Sequence, residues 1–336
     1  MDVKHGSDEH PPAAARHRYL SNRITKIFAV GGTAMVGTIA AILMAAPSPP
    51  VGDDRHFFIA ITVDDLTGNA QLPPGMSRLE IADQYIRALR AHRVPDVYGF
   101  VNASKLQRDR DGGQVLASWR RASYLLGNHS YTHLNLNKAP SLEAWKADVL
   151  KDEQKIAQQM EGADWRYFRF PFLSAGKDKP QHDAAASFLK QQGYKIAEVS
   201  VSFNDWAYGN AYARCLAKGD EAAIDAMKRQ YFRGVDDGIA RMKELSLKTY
   251  GRMIPQVLLT HLSAWSAMTL PEVLTRLDAA GAQYVGLPQA QDDPAYVDGP
   301  WAGNQQVMER AARQARIDID AIPRLQPIDN LKMLCR

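Results

Sequence analysis

At 336 residues, 46% hydrophobic and 23% charged, the chain has the balance of a soluble globular protein of one large domain or two ordinary ones, which excludes a disordered chain, a collagen and a multi-span membrane protein. A core of this size needs no disulfide staples, and two cysteines, Cys215 and Cys335, exclude a disulfide scaffold and a four-cysteine zinc site. The net charge is +4, of which residues 1–26 hold +2 (Lys4, Arg16, Arg18, Arg23 and Lys26 against Asp2, Asp8 and Glu9), so nucleic acid is not an expected partner.

Ile27 to Ala46 is apolar, uncharged and rich in Ala and Gly, and its twenty residues can just cross a bilayer. Basic residues precede it and Asp53 and Asp54 come after it, which places the amino terminus in the cytoplasm and the rest outside. The segment reads as an uncleaved anchor or a cleaved signal peptide. Leu43-Met44-Ala45-Ala46-Pro47 offers no good A-x-A site, which favours the anchor. Pro47, Pro49 and Pro50 cut it off from the next element, against a buried core helix. The expected organisation is a basic cytoplasmic lead (1–26), the anchor or signal (27–46), a Pro-rich linker (47–55), a folded domain (56–290) and a tail (291–336). The folded part is expected on the outer face of the cytoplasmic membrane, in the periplasm or outside the cell.

A nearly continuous apolar run, Phe57 to Val63, predicts a strand buried on both faces. Leu79, Ala82, Ile86 and Leu89 give helical spacing over 77–92. Strands are predicted at Asp96 to Asn102 and Tyr124 to Gly127, and a helix over 141–160 capped by Ser141. Next come a strand at Tyr167 to Phe170, a helix over 181–192 and a strand at Tyr194 to Val201. Residues 211–247 read as mostly helical, then come a strand at Gln256 to Thr260, a helix over 271–280 and a last strand at Gln283 to Leu287. The tail carries its own helix near 303–315. Seven strands alternating with helices imply a parallel sheet, open or closed as a barrel, with no internal repeat and no second domain.

Five polar segments stand at carboxyl ends of these strands, where a βα barrel builds its active site. Adjacent Asp64 and Asp65 repel each other, and a cation is the usual reason for placing them together; alone, the pair also fits a solvated loop start with a capping Asp. His129 and His133 lie on one side of a helical or tight turn. With one Asp they give three ligands and an open position, the pattern of catalytic zinc, although two surface histidines would look the same. Only six of the nine histidines lie beyond the apolar segment, and three of them fall in these motifs; His56, His92 and His182 read as surface residues. A buried Arg169 needs an anion, which Asp64 or Asp205 could supply; it also reads as a surface residue at a strand end. His261 ends a buried strand and can be a general acid if Asp205 raises its pKa; a structural His is the plainer reading. Trp206 fits a pocket wall or a core position equally.

In this order the five segments resemble the motifs of the polysaccharide deacetylases with the NodB-homology fold, carbohydrate esterase family four. Thr62-Val63-Asp64-Asp65 looks like the family's Thr-Phe-Asp-Asp, and Gly127-Asn128-His129-Ser130-Tyr131-Thr132-His133 is a near-complete match to its His motif. Arg169 to Phe172, Ser202 to Trp206, and Leu259-Thr260-His261 correspond to the remaining three, so the resemblance spans roughly 57–290. It implies a distorted (β/α)7-8 barrel in which Asp65, His129 and His133 bind a divalent metal, most often Zn²⁺, with Co²⁺ or another ion possible. Asp64 would be the base, oriented by Arg169. Asp205 would tune His261, the acid. The backbone N–H of Phe172 would stabilise an oxyanion, and Trp206 and Leu259 would line the acetyl pocket.

Departures from the pattern are Leu66-Thr67 after the Asp pair, Ser202 in place of a frequent Asp, Phe172 in place of a commoner Tyr, and 54 residues between Trp206 and His261. Tyr208, Tyr212, Arg229, Tyr231 and Arg233 in that stretch could wall a groove or belong to an elongated helix pair. The resemblance implies removal of N-acetyl groups from an N-acetylhexosamine glycan such as chitin, peptidoglycan or an exopolysaccharide. The alternatives are an O-acetyl esterase and a non-catalytic sugar-binding protein on the same fold. The membrane is a partner only if 27–46 is retained, and no protein partner can be inferred.

Overall fold

The computed structural model describes residues 56–296 and 306–336, apart from 69, 108, 321, 323 and 324. The lead, the apolar segment 27–46 and the linker 47–55 lie outside the described residues. Among those described, no helix is long and apolar enough to cross a membrane.

The first strand, β1 (Phe57–Leu66), is buried along its length except for Phe58. Side chains alternate, so Thr62 and Asp64 share one face. A capping box of Ser77 and Glu80 starts α1 (Arg78–Ala91), which leads into β2 (Tyr98–Val101). Then comes α2 (Gly112–Arg121), a helix that the sequence reading does not assign. Gly112 and Gly113 are poor helix formers, and burial of Val115, Leu116 and Trp119 outweighs them. After β3 (Leu125–Asn128), Ser141 caps α3 (Leu142–Met160) by accepting the N–H of Ala144 at 3.0 Å. The chain continues through β4 (Tyr167–Phe168) and α4 (Lys179–Gln191).

The strand expected over 194–201 is broken into β5 (Lys195–Ile196) and β6 (Val201–Ser202). The break has a geometric cause: β5 pairs with β4 whereas β6 pairs with β7 (Gln256–His261). Ala197 still donates to Phe168 O, and Ser200 to Val257 O, so the bend changes partners without losing them. The sheet runs β5-β4-β3-β2-β1-β7-β6, all pairs parallel. Its two edge strands are thus joined through residues 197–200, and the curled sheet is a distorted (β/α) barrel. The last strand, β8 (Ala282–Tyr284), pairs with Phe57 to Ile59.

Between β6 and β7 stand α5 (Gly209–Ala217) and α6 (Glu221–Tyr250). Tyr208, Tyr212 and Tyr231 do not wall a groove: they are buried around Trp265, with ring centroids 4.9, 5.7 and 5.5 Å away. Arg229 and Arg233 are exposed. The helix expected from 271 starts earlier, as α7 (Ala264–Ala279), capped by Ser263. Pro271 inside it removes a hydrogen bond, and the burial of Trp265, Leu270, Val273, Leu274 and Leu277 overrides that cost. A short α8 (Leu287–Gln291) leads into the tail, whose α9 (Val307–Gln314) packs on α6. A disulfide joins Cys215 in α5 to Cys335, and Arg214 donates to the carbonyls of Leu331 and Leu334.

Candidate active site

The carboxyl ends of the strands open into a cavity of about 450 Å³. Asp64, Asp65, His129, His133, Phe172, Trp206, Leu259 and His261 all line it. Arg169 and Asp205 stand behind two of them, fully buried.

Asp64 ends the inward face of β1, whereas Asp65 turns into the left-handed region with φ 56°. Asp tolerates that conformation better than most residues, and Gly68 closes the turn with its N–H on Asp65 O. The two carboxylates therefore diverge. Asp64 Oδ1 accepts from Arg169 Nη1 at 3.0 Å. Arg169 also donates from Nε to Ala197 O at 2.7 Å and from Nη2 to Thr62 Oγ1 at 3.1 Å. Its anion is therefore Asp64, not Asp205, and it is not a surface residue. Replacing Arg169 with Met leaves a buried carboxylate without its cation, so stability should fall by about 3–5 kcal/mol, read from urea unfolding. A midpoint that does not move would mean that the pair carries no structural weight.

The His motif is a tight turn, not a helix, with Ser130 and His133 at φ 60° and 61°. Asn102 secures it by donating from Nδ2 to the carbonyls of His129 (2.7 Å) and Ser130 (2.8 Å). His129 Nδ1 lies 2.7 Å from Arg169 O. A carbonyl only accepts, so Nδ1 carries the proton and Nε2 keeps its lone pair for the cavity. That Nε2 is 3.6 Å from Asp64 Oδ2, and His133 Nε2 is 3.7 Å from Asp65 Oδ1.

Ligand atoms of Asp65, His129 and His133 all lie within 4.8 Å of one another. Burial lowers the pKa of both imidazoles, which keeps them neutral and able to bind. Burial opposes ionisation of Asp65, but nearby positive charge, led by the Lys105 ammonium, outweighs it and holds this carboxyl well below its usual range. Two neutral nitrogens and one carboxylate fit a divalent cation of the zinc type. Such an ion would supply Lewis-acid polarisation of an acyl oxygen and activation of water.

At the end of the neighbouring β7, where it is the register partner of Asp64, His261 Nδ1 is 2.9 Å from Asp205 Oδ1, and Asp205 Oδ2 accepts from His261 N (2.7 Å) and Ser266 Oγ (2.9 Å). Burial alone would lower His261, but Asp205 outweighs it and lifts the pKa to about 9. Burial pushes Asp64 up to about 6, against the pull of Arg169 and His261. Ser202 takes no part in that pairing; its Oγ accepts from Asn204 N at 3.3 Å, and Asp205 anchors the loop. At the rim, Phe172 is 63% and Trp206 56% exposed, so Trp206 is not a core residue. Phe172 sits at φ 58° with its ring 4.5 Å from that of His133. Leu259 is buried in the cavity floor.

Sequence reasoning passed over Lys105, Asn210 and Gln306. Asn210 and Gln306 line the cavity, and Lys105 contacts Asp65. Asn102 comes just after β2, where the strand-end rule could have found it, whereas nothing local marks Lys105. No local signal marks Gln306, which the tail brings in when Val307 N bonds Val199 O at 2.8 Å.

Residues 52–197 match the family model described as polysaccharide deacetylase. No curated protein matches the chain. Among solved structures, it is similar to a mutant of a CE4 family pseudoenzyme with restored enzymatic activity (17% identity, 73% of this chain and 72% of that one, TM-score 0.46), whose wild type is from Bacillus anthracis. It is also similar to a family 4 carbohydrate esterase from Streptomyces lividans in complex with acetate (17%, 68% and 91%, TM-score 0.44). A third is the peptidoglycan deacetylase PdaC from Bacillus subtilis (17%, 79% and 98%, TM-score 0.43).

Proposed function

We propose that this chain, which belongs over residues 52–197 to the polysaccharide deacetylase family, is a metal-dependent hydrolase that removes N-acetyl groups from an N-acetylhexosamine glycan outside the cytoplasm. The observation that carries the reading is a pair of tuned groups side by side at the ends of two neighbouring strands, both lining one cavity: Asp64 on Arg169, and His261 on Asp205. Asp65, His129 and His133 line the same cavity and would hold the metal.

Near neutral pH, Asp64 at about 6 is ionised and His261 at about 9 is protonated. A base and an acid whose pKa values are pushed apart in this sense suit amide hydrolysis. Asp64 takes the proton of an attacking water, and His261 gives one to the departing nitrogen. Arg169 holds Asp64 in place, and Asp205 fixes the His261 ring with its Nδ1 proton inward. The backbone N–H of Phe172 serves the developing oxyanion. Leu259 leaves room for a methyl group, and the exposed rings of Phe172 and Trp206 offer apolar faces to a sugar.

The disulfide between Cys215 and Cys335 supports an oxidising compartment, in keeping with export by residues 27–46. The test is acetate release by the zinc-supplied full chain from chitooligosaccharides, peptidoglycan fragments and poly-N-acetylglucosamine. The expected result is loss of acetyl from at least one of them. Release from O-acetylated xylan alone would replace the reading with an esterase, and glycan binding without release would leave a sugar-binding protein.

A further inference from the structure

Lys105 lies in the 3-10 turn Ala103–Gln107 directly after β2. Its ammonium is 2.8 Å from Oδ1 of Asp65, the same oxygen that faces His133 Nε2 at 3.7 Å. It also donates to Asn102 Oδ1 at 3.2 Å. Asn102 cannot turn away, because its Nδ2 is held by the carbonyls of His129 and Ser130. The turn is pinned too: Ala103 N donates to Oδ1 of the fully buried Asp152 at 2.7 Å. Lys105 is thus fixed against a metal-ligand candidate, with its side chain only 20% exposed.

We propose that Lys105 is a positioning residue for Asp65 that weakens its hold on a divalent cation, so that the site exchanges its metal readily. This rests on the metal reading above. The usual outer partners of metal ligands are carboxylates and carbonyls, which make the ligand more basic. The carbonyl of Arg169 does this for His129. An ammonium does the reverse: it draws electron density from the Asp65 oxygen and repels a second cation on the same carboxylate. The ordering that Lys105 supplies does not offset this repulsion. Asp65 is already held by its turn and its burial.

The experiment strips the full chain with a chelator and measures Zn²⁺ affinity by competition with a chromophoric chelator, with the Co²⁺ absorption spectrum as a check on ligand geometry. Lys105→Met and Lys105→Gln should each bind Zn²⁺ about 10–100-fold more tightly than wild type, with an unchanged Co²⁺ spectrum. Lys105→Arg, which keeps the charge, should stay near wild type. Affinity unchanged or weaker in both neutral variants, each shown folded by circular dichroism, would overturn the proposal. His129→Ala separates the two levels. If it still binds Zn²⁺ like wild type, the metal reading itself fails; if it does not bind while the neutral Lys105 variants gain nothing, only the proposal about Lys105 fails.

Discussion

Substituting His129→Ala is expected to abolish bound divalent metal and hydrolysis together while leaving the barrel folded. The residue is buried, its Nδ1 is committed to Arg169 O, and its Nε2 is one of three candidate ligand atoms. Two remaining ligands, Asp65 and His133, make a poor site for an ion that prefers three protein donors and an open position. The structural penalty is moderate. The Arg169 carbonyl loses its donor, which costs about 1–3 kcal/mol, and Arg169 keeps its bonds to Asp64, Thr62 and Ala197. Elemental analysis of purified wild type and variant, with circular dichroism as the fold control, decides it. Equal metal content in the two proteins would remove His129 from the site.

Asp64→Asn separates the proton chemistry from the metal. The amide keeps the size of the carboxyl and can still accept from Arg169, but it cannot take a proton. Turnover should fall by about 10²–10⁴, with bound metal unchanged. The pH profile supplies a second readout. In the wild type, activity should fall as pH drops through about 6, where Asp64 becomes protonated, and as pH rises through about 9, where His261 loses its proton. A divalent cation held by Asp65, His129 and His133 would lower that acid limb further. In the Asn variant the acid limb should vanish. The alkaline limb should move to lower pH, because Asp64 is one of the charges that keep His261 protonated. An acid limb that survives in place would identify another group as the base.

Much of this architecture is legible in the amino-acid order. The buried runs of β1 and β7 and the capping serines of α1 and α3 are local signals. The elements that escaped are decided by tertiary contacts. Gly112 and Gly113 hide α2, and Pro271 hides the first half of α7; in each, buried side chains outweigh local propensity. The bend between β5 and β6 comes from a change of sheet partner, which no periodicity encodes. The cavity residues are legible because chemistry at strand ends is conspicuous. Lys105 is not, because a lysine in a turn is usually solvated, and only the fold brings it to Asp65.

Arg169 has one bond to Asp64 and another to the bend. Its Nε holds Ala197 O, at the point where the strand passes from β4 to β7, while its Nη1 holds Asp64. The clasp that shuts the barrel is therefore the same side chain that aims the proposed base. A descendant relieved of catalysis could discard the metal ligand His129 at moderate cost to its fold, but not this arginine or its carboxylate. Survival of the Asp64–Arg169 pair in a related chain would then testify to an intact barrel, and only the remaining cavity residues would reveal whether the chemistry is still alive.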